Sequence, residues 1–198
     1  MVSRLLTTQE IRRASQLHFE AFSGFFLTSL GKSFLRAFYK GILEHPDGIA
    51  VGVFDNGHLV AFAVGTKCKN GFYSDILRKK VISMSLAAMP KLISSPSKVL
   101  RLFNSLKSSK RFGKDIMDNA SLLSICVCPR ERGKGLGAKV LKAFEEIAFR
   151  DSDAISLTTD FMDNDYVNNF YQTNQYELYD VFLQDQRKMN LYLKKRRN

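Results

Sequence analysis

The chain has 198 residues, of which 45% are hydrophobic, as in an ordinary globular domain with a proper core. No apolar run reaches the roughly 18 residues of a membrane-spanning helix, and the first residues do not resemble a signal peptide, so we expect a cytoplasmic protein without a membrane anchor. The net charge of +11 predicts attraction to an anionic cofactor, an anionic substrate, nucleic acid or a lipid surface.

The three cysteines, Cys68, Cys126 and Cys128, contain no C-x-x-C pair. Residues 126 and 128 of a strand lie on the same face, which favours packing over metal binding. We therefore expect no metal.

Two helices open the chain. Thr7 or Thr8 caps the first helix, which ends near Ser23-Gly24. Its inner face consists of Ile11, Ala14, Leu17, His18 and Ala21. The second helix carries the apolar residues Phe34, Leu35, Phe38, Tyr39 and Ile42. The connection between them, Phe22 to Leu30, is unusually apolar.

A β-hairpin follows. Residues 49–54 and 59–65 are two apolar runs separated by Asp55-Asn56-Gly57, and Asn-Gly is the preferred pair for a type I′ turn.

A basic segment comes next, over residues 70–117. Between Asn70 and Lys114 it contains ten lysines and arginines and a single acidic residue, Asp75. Its apolar spacing predicts two amphipathic helices, one broken near Pro90 and one after Pro96. Such helices pack on a domain with a solvated basic face, form a lid over an anionic substrate, or lie on an anionic membrane surface. No motif for reading nucleic-acid sequence accompanies the charge.

A strand, a glycine loop and a helix then succeed one another. Leu122 to Val127 is an apolar strand, and Pro129 ends it. The loop consists of Gly133, Gly135 and Gly137 with the cations Arg130, Arg132 and Lys134. The helix carries the apolar residues Leu136, Val140, Leu141, Phe144, Ile147 and Ala148. Free backbone N–H groups at such a helix start predict a site for a pyrophosphate or a similar anion.

Two other glycine-loop families fit this stretch poorly. A Walker A loop is excluded because Lys134 is followed by Gly135 instead of serine or threonine. Residues 133–138 formally match the dinucleotide fingerprint, but Cys128 to Arg132 separate the strand from the first glycine, and too little chain follows for a doubly wound sheet.

The C-terminal part is predicted to contain three more strands and one helix. After a turn at Asp151-Ser152-Asp153, Ile155 and Leu157 alternate with polar residues in a strand. Asp163 or Asn164 caps the helix that carries Tyr171, and Asn174 supplies a left-handed turn after it. The closing strands carry Tyr179, Val181 and Leu183, then Met189, Leu191 and Leu193. Residues 194–197 form a solvated basic tail.

Two motifs in order resemble the GNAT superfamily of acetyl-CoA-dependent N-acetyltransferases. The first is Val127-x-Pro129 followed by Arg132-x-x-Gly135-x-Gly137, and the second is Asn164-x-x-Val167-x-x-Phe170-Tyr171. The resemblance covers roughly residues 51–193. It implies an α/β (α+β) fold with a central mixed, mostly antiparallel sheet flanked by helices. The chain would be a single domain over residues 1–198, with a helical insertion at 70–117 before the central strand.

The resemblance also implies a cosubstrate, acetyl-CoA, and a set of residues that bind it. Ile125 and Val127 contact the pantetheine arm, with Val127 acting through its backbone, and Asn164 binds the arm from the opposite side. The pyrophosphate is held by Arg132, Gly133, Lys134, Gly135, Leu136, Gly137 and Ala138.

Tyr171 matches the residue that protonates the leaving CoA thiolate, and a phenol suits that task. The general base stays open, because Leu123 and Ser124 stand where many relatives have a glutamate. The candidates are Asp160, Asp118, Glu20 and His18. By the same resemblance, the apolar connection lines the acceptor pocket with Phe25, Phe26 and Leu27, although these residues also fit a plain core.

The expected reaction is therefore acetyl transfer from acetyl-CoA to a primary amine of a small molecule, such as an amino sugar, by direct attack in a ternary complex. The alternatives are a protein or peptide N-acetyltransferase, a non-catalytic acyl-CoA-binding regulator, and a basic surface-binding module that contacts membranes through the insertion. We expect a monomer or a homodimer that binds no specific nucleic-acid sequence.

Overall fold

Seven strands of the described residues form one sheet in the order β1-β2-β3-β4-β5-β7-β6. The computed structural model describes residues 1–76, 112–184 and 186–197, except for the side chain of Phe26. The strands are β1 (Val2–Leu5), β2 (Gly48–Asp55), β3 (His58–Thr66), β4 (Ala120–Val127), β5 (Ala154–Asp160), β6 (Glu177–Gln184) and β7 (Arg187–Lys195). Within these ranges only β4 and β5 pair in parallel, so the expected mixed, mostly antiparallel sheet is confirmed.

Helices cover both faces of the sheet. They are α1 (Ile11–Ala21), α2 (Phe26–Ser29), α3 (Lys32–Glu44), α4 (Lys114–Met117), α5 (Leu136–Asp151) and α6 (Asp165–Thr173). Thr7 caps a 3-10 turn before α1 through a capping box with Glu10. The α1 and α3 helices share one core with Phe62 and Cys126, α5 shares a second with Leu122 and Tyr171, and a smaller third cluster contains Ile116 of α4. The apolar residues predicted to form the inner faces of α1, α3 and α5 all belong to these cores, some of them buried and some partly buried.

The predicted hairpin is present, with Asn56 and Gly57 both at positive φ in the β2–β3 turn. Cys126 and Cys128 contact the same core, as predicted for packing residues on one strand face.

The pairing of β3 with β4 contains a β-bulge. Val64 pairs with Ser124 and Gly65 pairs with Leu122, so Leu123 is an extra residue in β4. This β-bulge changes which side chains face which core. Leu122 and Ile125 both face α5, whereas Cys126 faces α1 and α3.

The central strands β4 and β5 separate after a short contact. They pair only at Ala120 with Ile155 and at Ser121 with Ser156. Beyond these pairs β4 continues along β3, and β5 continues along β7 to Asp160. The carboxyl halves of the two strands therefore diverge and open a cleft in the middle of the sheet.

Three predictions in the C-terminal part were wrong. Residue Asp151 belongs to α5 and not to a turn, because the helix continues to the start of β5. Gln175, with φ +69°, takes the left-handed position instead of Asn174, whose φ is −88° and whose side chain donates to the Phe170 carbonyl at 2.8 Å. The basic tail is not simply solvated, because Lys194 and Lys195 extend β7.

Two cations of the segment 194–197, Lys194 and Arg196, pair with acidic side chains. Lys194 Nζ lies 2.7 Å from Glu145 Oε2, and Arg196 Nη2 lies 2.6 Å from Asp153 Oδ1. Pairing of Ala154 with Lys195 brings these cations back onto the domain.

Most of the predicted basic helices fall in residues 77–111, which lie outside the described residues. At the edges of that range, residues 72–76 form a helical turn with buried Phe72 and Ile76, and α4 buries Ile116. Among the helices that can be described, none is both long and apolar enough to cross a membrane.

Candidate active site

The glycine loop presents free backbone donors at the start of α5. Gly133 and Gly135 have φ of +78° and +74°, a region that residues with a Cβ rarely adopt, and no other atoms crowd either position. Gly135 is the N-cap of α5, a helix of 16 residues. The N–H groups of the first turn therefore point outward beside the positive end of the helix dipole, where a phosphate oxygen is stabilised.

The cations of the loop differ in how free they are. Lys134 Nζ lies 2.8 Å from Glu131 Oε2, and this hydrogen bond raises the pKa of the lysine. Arg132 is exposed and has no ion-pair partner in the described part of the chain. Arg132, like the exposed Arg130, is therefore freer than Lys134 to bind an anion.

A second basic surface adjoins the loop. A cleft of about 510 Å³ between α5 and the end of α6 is lined by Lys139, Lys142, Glu145, Gln175 and Lys194. It starts in the first turn of α5, where Lys139 also donates to the Met1 carbonyl at 2.9 Å. Sequence analysis missed these three lysines as site residues, although the spacing of Lys139 and Lys142 places both on one side of the helix.

The walls of the β4–β5 cleft carry the residues expected to bind the pantetheine arm. Ile125 and Val127 of β4 pack toward the α5 side and remain partly exposed. Opposite them, Asn164 Nδ2 donates to Thr159 Oγ1 at 2.7 Å and to the Asp160 carbonyl at 3.1 Å. This amide therefore fixes the end of β5, and its Oδ1 is the atom that remains for a ligand.

Tyr171 is buried in α6 beside the cleft. Its ring contacts Phe170, Tyr176 and Tyr192, with centroid distances of 5.3, 5.8 and 6.1 Å. Burial raises the pKa of Tyr171 far above its ordinary value, with a smaller contribution from nearby Cys126. The phenol therefore keeps its proton at physiological pH and is able to donate it.

The two carboxylates proposed as bases lie in different places. Asp160 ends β5 and pairs with Arg187 Nη2, so a guanidinium already occupies its carboxylate. Asp118 precedes β4, so the length of an eight-residue strand, about 26 Å at 3.3 Å per residue, separates it from the glycine loop. The structure does not bring these two residues together.

The other two base candidates are also engaged. Glu20 accepts a hydrogen bond from Gln16 at 2.9 Å on an exposed part of α1. His18 is 4% exposed, and burial lowers its pKa to about 4. Its Nδ1 atom lies 2.5 Å from the hydroxyl oxygen of Tyr39. His18 is therefore neutral at physiological pH and belongs to a buried hydrogen-bonded group.

The expected acceptor loop is partly exposed. The Phe25 ring is 47% exposed and stacks edge-to-face on Phe22 at 5.3 Å, whereas Leu27 packs against the core. Phe26 begins α2. Two further exposed apolar residues, Phe161 and Met162, directly follow β5. Sequence analysis did not assign these two residues to the site; the only signal was their apolar character in an otherwise polar connection.

Comparison with known proteins gives the same fold. Residues 111–175 match the acetyltransferase (GNAT) family. No curated protein matches the sequence significantly. Among solved structures, the PaiA N-acetyltransferase from Thermoplasma acidophilum in complex with coenzyme A has a TM-score of 0.62 at 14% identity, with 98% of each chain covered.

Two other similar structures differ in the acceptor that their names give. The ribosomal-protein-S18-alanine N-acetyltransferase from Escherichia coli has a TM-score of 0.59 at 11% identity, covering 98% of this chain and 92% of that one. Mutant forms of the spermidine/spermine N-acetyltransferase from Vibrio cholerae have a TM-score of 0.57 at 11% identity, with the same coverage. The family match spans the glycine loop and α6, and the fold is shared over the whole length, which together support an acetyl-CoA-dependent acyltransferase.

Proposed function

We propose that the protein transfers the acetyl group of acetyl-CoA to a primary amine of a small molecule, by direct attack in a ternary complex. The observation that carries this proposal is the divergence of β4 and β5 after Ser121 and Ser156. It opens a cleft that has the glycine loop at its outer end and Tyr171 at its side. A thioester arm anchored at the loop would extend along this cleft.

The residues present fit acetyl-CoA. The first turn of α5 and Arg132 suit its pyrophosphate, and the open space around Gly133 and Gly135 lets phosphate oxygens approach the backbone. Lys139 and Lys142 extend the positive charge along α5 for the remaining phosphate. Bound acetyl-CoA supplies an activated acyl group as a thioester.

The protein then contributes position and one proton. The walls at Ile125, Val127 and Asn164 hold the arm, so that the amine meets the acyl carbon within the cleft. Tyr171, which is protonated at neutral pH, donates its phenolic proton to the departing sulfur and then regains a proton from solvent. The proton lost by the amine leaves to solvent, since Asp160, Glu20 and His18 already have hydrogen-bond partners and Asp118 lies at the far end of β4.

A peptide α-amine is the second candidate acceptor. Phe25, Phe161 and Met162 are exposed large apolar side chains, and such residues suit a peptide side chain as well as a ring of a small molecule. The solved relatives include both kinds of enzyme, one named for a ribosomal-protein alanine and one for spermidine and spermine.

The first experiment is a calorimetric titration of the protein with acetyl-CoA. Wild type should bind in the micromolar range, and Arg132→Glu should bind at least tenfold more weakly, because it places a carboxylate beside the pyrophosphate. Arg130→Glu is the matched control: it makes the same charge change on an exposed residue of the same loop, outside the motif. Equal weakening by both variants would show only a nonspecific effect of net charge and would contradict the assigned site.

Turnover is then tested by release of the CoA thiol with glucosamine, spermidine and a tripeptide with a free α-amine. Release with glucosamine or spermidine supports the small-molecule proposal, and release with the tripeptide alone supports the peptide alternative. Tight binding of acetyl-CoA without release in any of the three would favour a non-catalytic acyl-CoA-binding regulator.

The remaining proposals concern location and assembly. We propose a cytoplasmic protein, monomeric or homodimeric, whose contact with anionic membranes is peripheral and is made through the basic segment 70–117. Sedimentation with anionic vesicles and light scattering on the purified protein test the two points.

A further inference from the structure

The anion site at the glycine loop has a carboxylate beside it. Lys134 lies between Gly133 and Gly135, the two glycines that leave the loop open to a ligand. Its Nζ donates a hydrogen bond to Glu131 Oε2 at 2.8 Å. This contact raises the pKa of the lysine, with a smaller contribution from Asp55. In the free protein the lysine of the loop therefore already binds an anion, the side chain of Glu131.

Glu131 is the more firmly held member of this ion pair. It ends the short 3-10 helix Pro129–Glu131, which follows β4, and its backbone N–H donates to the Cys128 carbonyl at 2.8 Å. Its side chain is 25% exposed, whereas that of Lys134 is 57% exposed. The ammonium can therefore move on its flexible stem toward a bound phosphate, while the carboxylate remains next to the loop.

Binding of a phosphate at the loop leads to one of two arrangements. If Lys134 leaves Glu131 for the phosphate, the carboxylate loses its hydrogen bond. If Lys134 contacts both anions, these lie within about 6 Å of each other, because each such contact is about 2.8 Å long. That separation is shorter than the screening length of about 8 Å at physiological salt, so the two anions repel each other. Either arrangement makes phosphate binding less favourable than it would be without Glu131.

An opposite effect of Glu131 is the weaker one. The carboxylate would assist binding if it held Lys134 in the position that a phosphate requires. An exposed ion pair restricts a lysine only weakly, however, and an ammonium on a flexible stem reaches a phosphate without such guidance. Repulsion, by contrast, acts on both phosphates of a pyrophosphate. The negative charge of Glu131 should therefore decide the sign of its effect.

We propose that Glu131 lowers the affinity of the cosubstrate site, because its carboxylate competes with the pyrophosphate for Lys134 and repels it. The proposal rests on the proposed function, since it takes the glycine loop as the pyrophosphate site. Acetyl-CoA and the product CoA share the pyrophosphate, so Glu131 weakens the binding of both to the same extent. Weaker binding appears mainly in the dissociation rate, and Glu131 therefore speeds the release of CoA.

Calorimetric titration of the full-length protein with CoA and with acetyl-CoA tests the role of the charge. Glu131→Gln, which removes the charge at nearly constant shape, should lower the Kd of both ligands about two- to fivefold, the range for one exposed charge pair. Glu131→Asp retains the charge and should stay close to wild type. The gain in Glu131→Gln should shrink when the salt concentration is raised from about 0.05 M to about 1 M.

Glu146→Gln is the matched control for the loss of one negative charge. Glu146 is exposed on α5 and follows the first residue of that helix, Leu136, by ten residues, which corresponds to about 15 Å. Its replacement should therefore change the two Kd values much less than Glu131→Gln does. Stopped-flow displacement of bound CoA gives the dissociation rate, which should fall in Glu131→Gln by about the same factor as the Kd.

Weaker binding of CoA by Glu131→Gln would overturn the proposal and show that the carboxylate supports Lys134. An unchanged Kd in Glu131→Gln, or an equal gain in Glu146→Gln, would overturn it as well. Absence of CoA binding by wild type would contradict the pyrophosphate site itself and, with it, any role of Glu131 there. Failure of the proposed function is thus distinguishable from failure of the role given to Glu131 alone.

Discussion

Gly137 and Phe170 touch where α5 begins and α6 passes over it: a Cβ at residue 137 would lie 3.3 Å from Cε2 of the phenylalanine. These residues belong to the two separate motifs of the sequence, the glycine loop and the helix of Tyr171. Absence of a side chain at 137 therefore lets the phosphate-binding loop and the proton-donating helix pack directly on each other.

This contact predicts a graded response to side-chain size at residue 137. Gly137→Ala gains up to about 1 kcal/mol of helix propensity and displaces the ring by a few tenths of an ångström, so the melting temperature should change little. Gly137→Val should shift Phe170 further and weaken acetyl-CoA binding at least tenfold. The double variant Gly137→Val/Phe170→Leu should recover part of that affinity in calorimetry. No recovery would show that the valine acts on the loop alone.

Replacement of Tyr171 by phenylalanine should slow the reaction without weakening cosubstrate binding. Loss of a general acid lowers kcat about 100-fold or more, whereas the ring and its packing are retained. Thiol release measures kcat, and calorimetry measures the Kd of acetyl-CoA. Tyr192→Phe, which removes a hydroxyl that donates to Asn168 at 3.2 Å, is the control and should retain most of its activity.

His18 should make the stability of the fold depend on pH in a defined window. Burial lowers its pKa from 6.5 to about 4, so between these values the unfolded chain binds a proton that the folded chain does not. The free energy of unfolding is therefore highest above pH 6.5 and falls toward pH 4, by roughly 3 kcal/mol at most. Urea unfolding at pH 7.0 and 5.0 measures the fall.

Two comparisons separate His18 from other groups. His18→Gln should flatten the dependence between pH 7.0 and 5.0, whereas His58→Gln, at an exposed position, should not. Glu10 acts at lower pH, because its hydrogen bond to Arg4 lowers its pKa from 4.5 to about 2. A steep fall that persists in His18→Gln would contradict the assignment.

Asp160 and Arg187 should behave as a pair. If pairing is their role, Asp160→Asn and Arg187→Gln will each lower kcat/KM by less than about tenfold, since a partly exposed ion pair contributes about 1 kcal/mol or less. A general base would give a different pattern, with a loss of 100-fold or more confined to Asp160→Asn. Steady-state kinetics on the two variants decide between these roles.

Local patterns were sufficient for much of the fold. The Asn56-Gly57 turn, the strand before Pro129 and the helix after Gly135 each depend on neighbours within a few residues, and all three are present. The motif around Asn164 and Tyr171 likewise placed α6 beside the loop. These features are local because turn chemistry and amphipathic spacing act over one or two turns of chain.

Features that depend on distant residues were not predicted. The point where β4 and β5 diverge follows from the packing of whole helices on both faces of the sheet. No sequence pattern near Ser121 predicts where this divergence begins. His18 and Tyr39 lie on two helices, α1 and α3, so no spacing in the sequence predicts their hydrogen bond. The acidic partners of Lys194 and Arg196 lie in α5 and in the turn before β5, more than 40 residues earlier in the chain. Because these partners are distant in sequence, the basic run 194–197 was predicted to be a solvated tail.

The extra residue at Leu123 has a consequence for how this site can change over time. Leu123 and Ser124 both lie on the α1 and α3 side, so deletion of Leu123 would remove the bulge, restore regular alternation along β4 and keep Leu122 and Ile125 on the α5 side. Descendants of this chain can therefore lose one residue at 123, or vary the α1 and α3 side by substitution at 124 and 126, without interchanging the two faces of the strand.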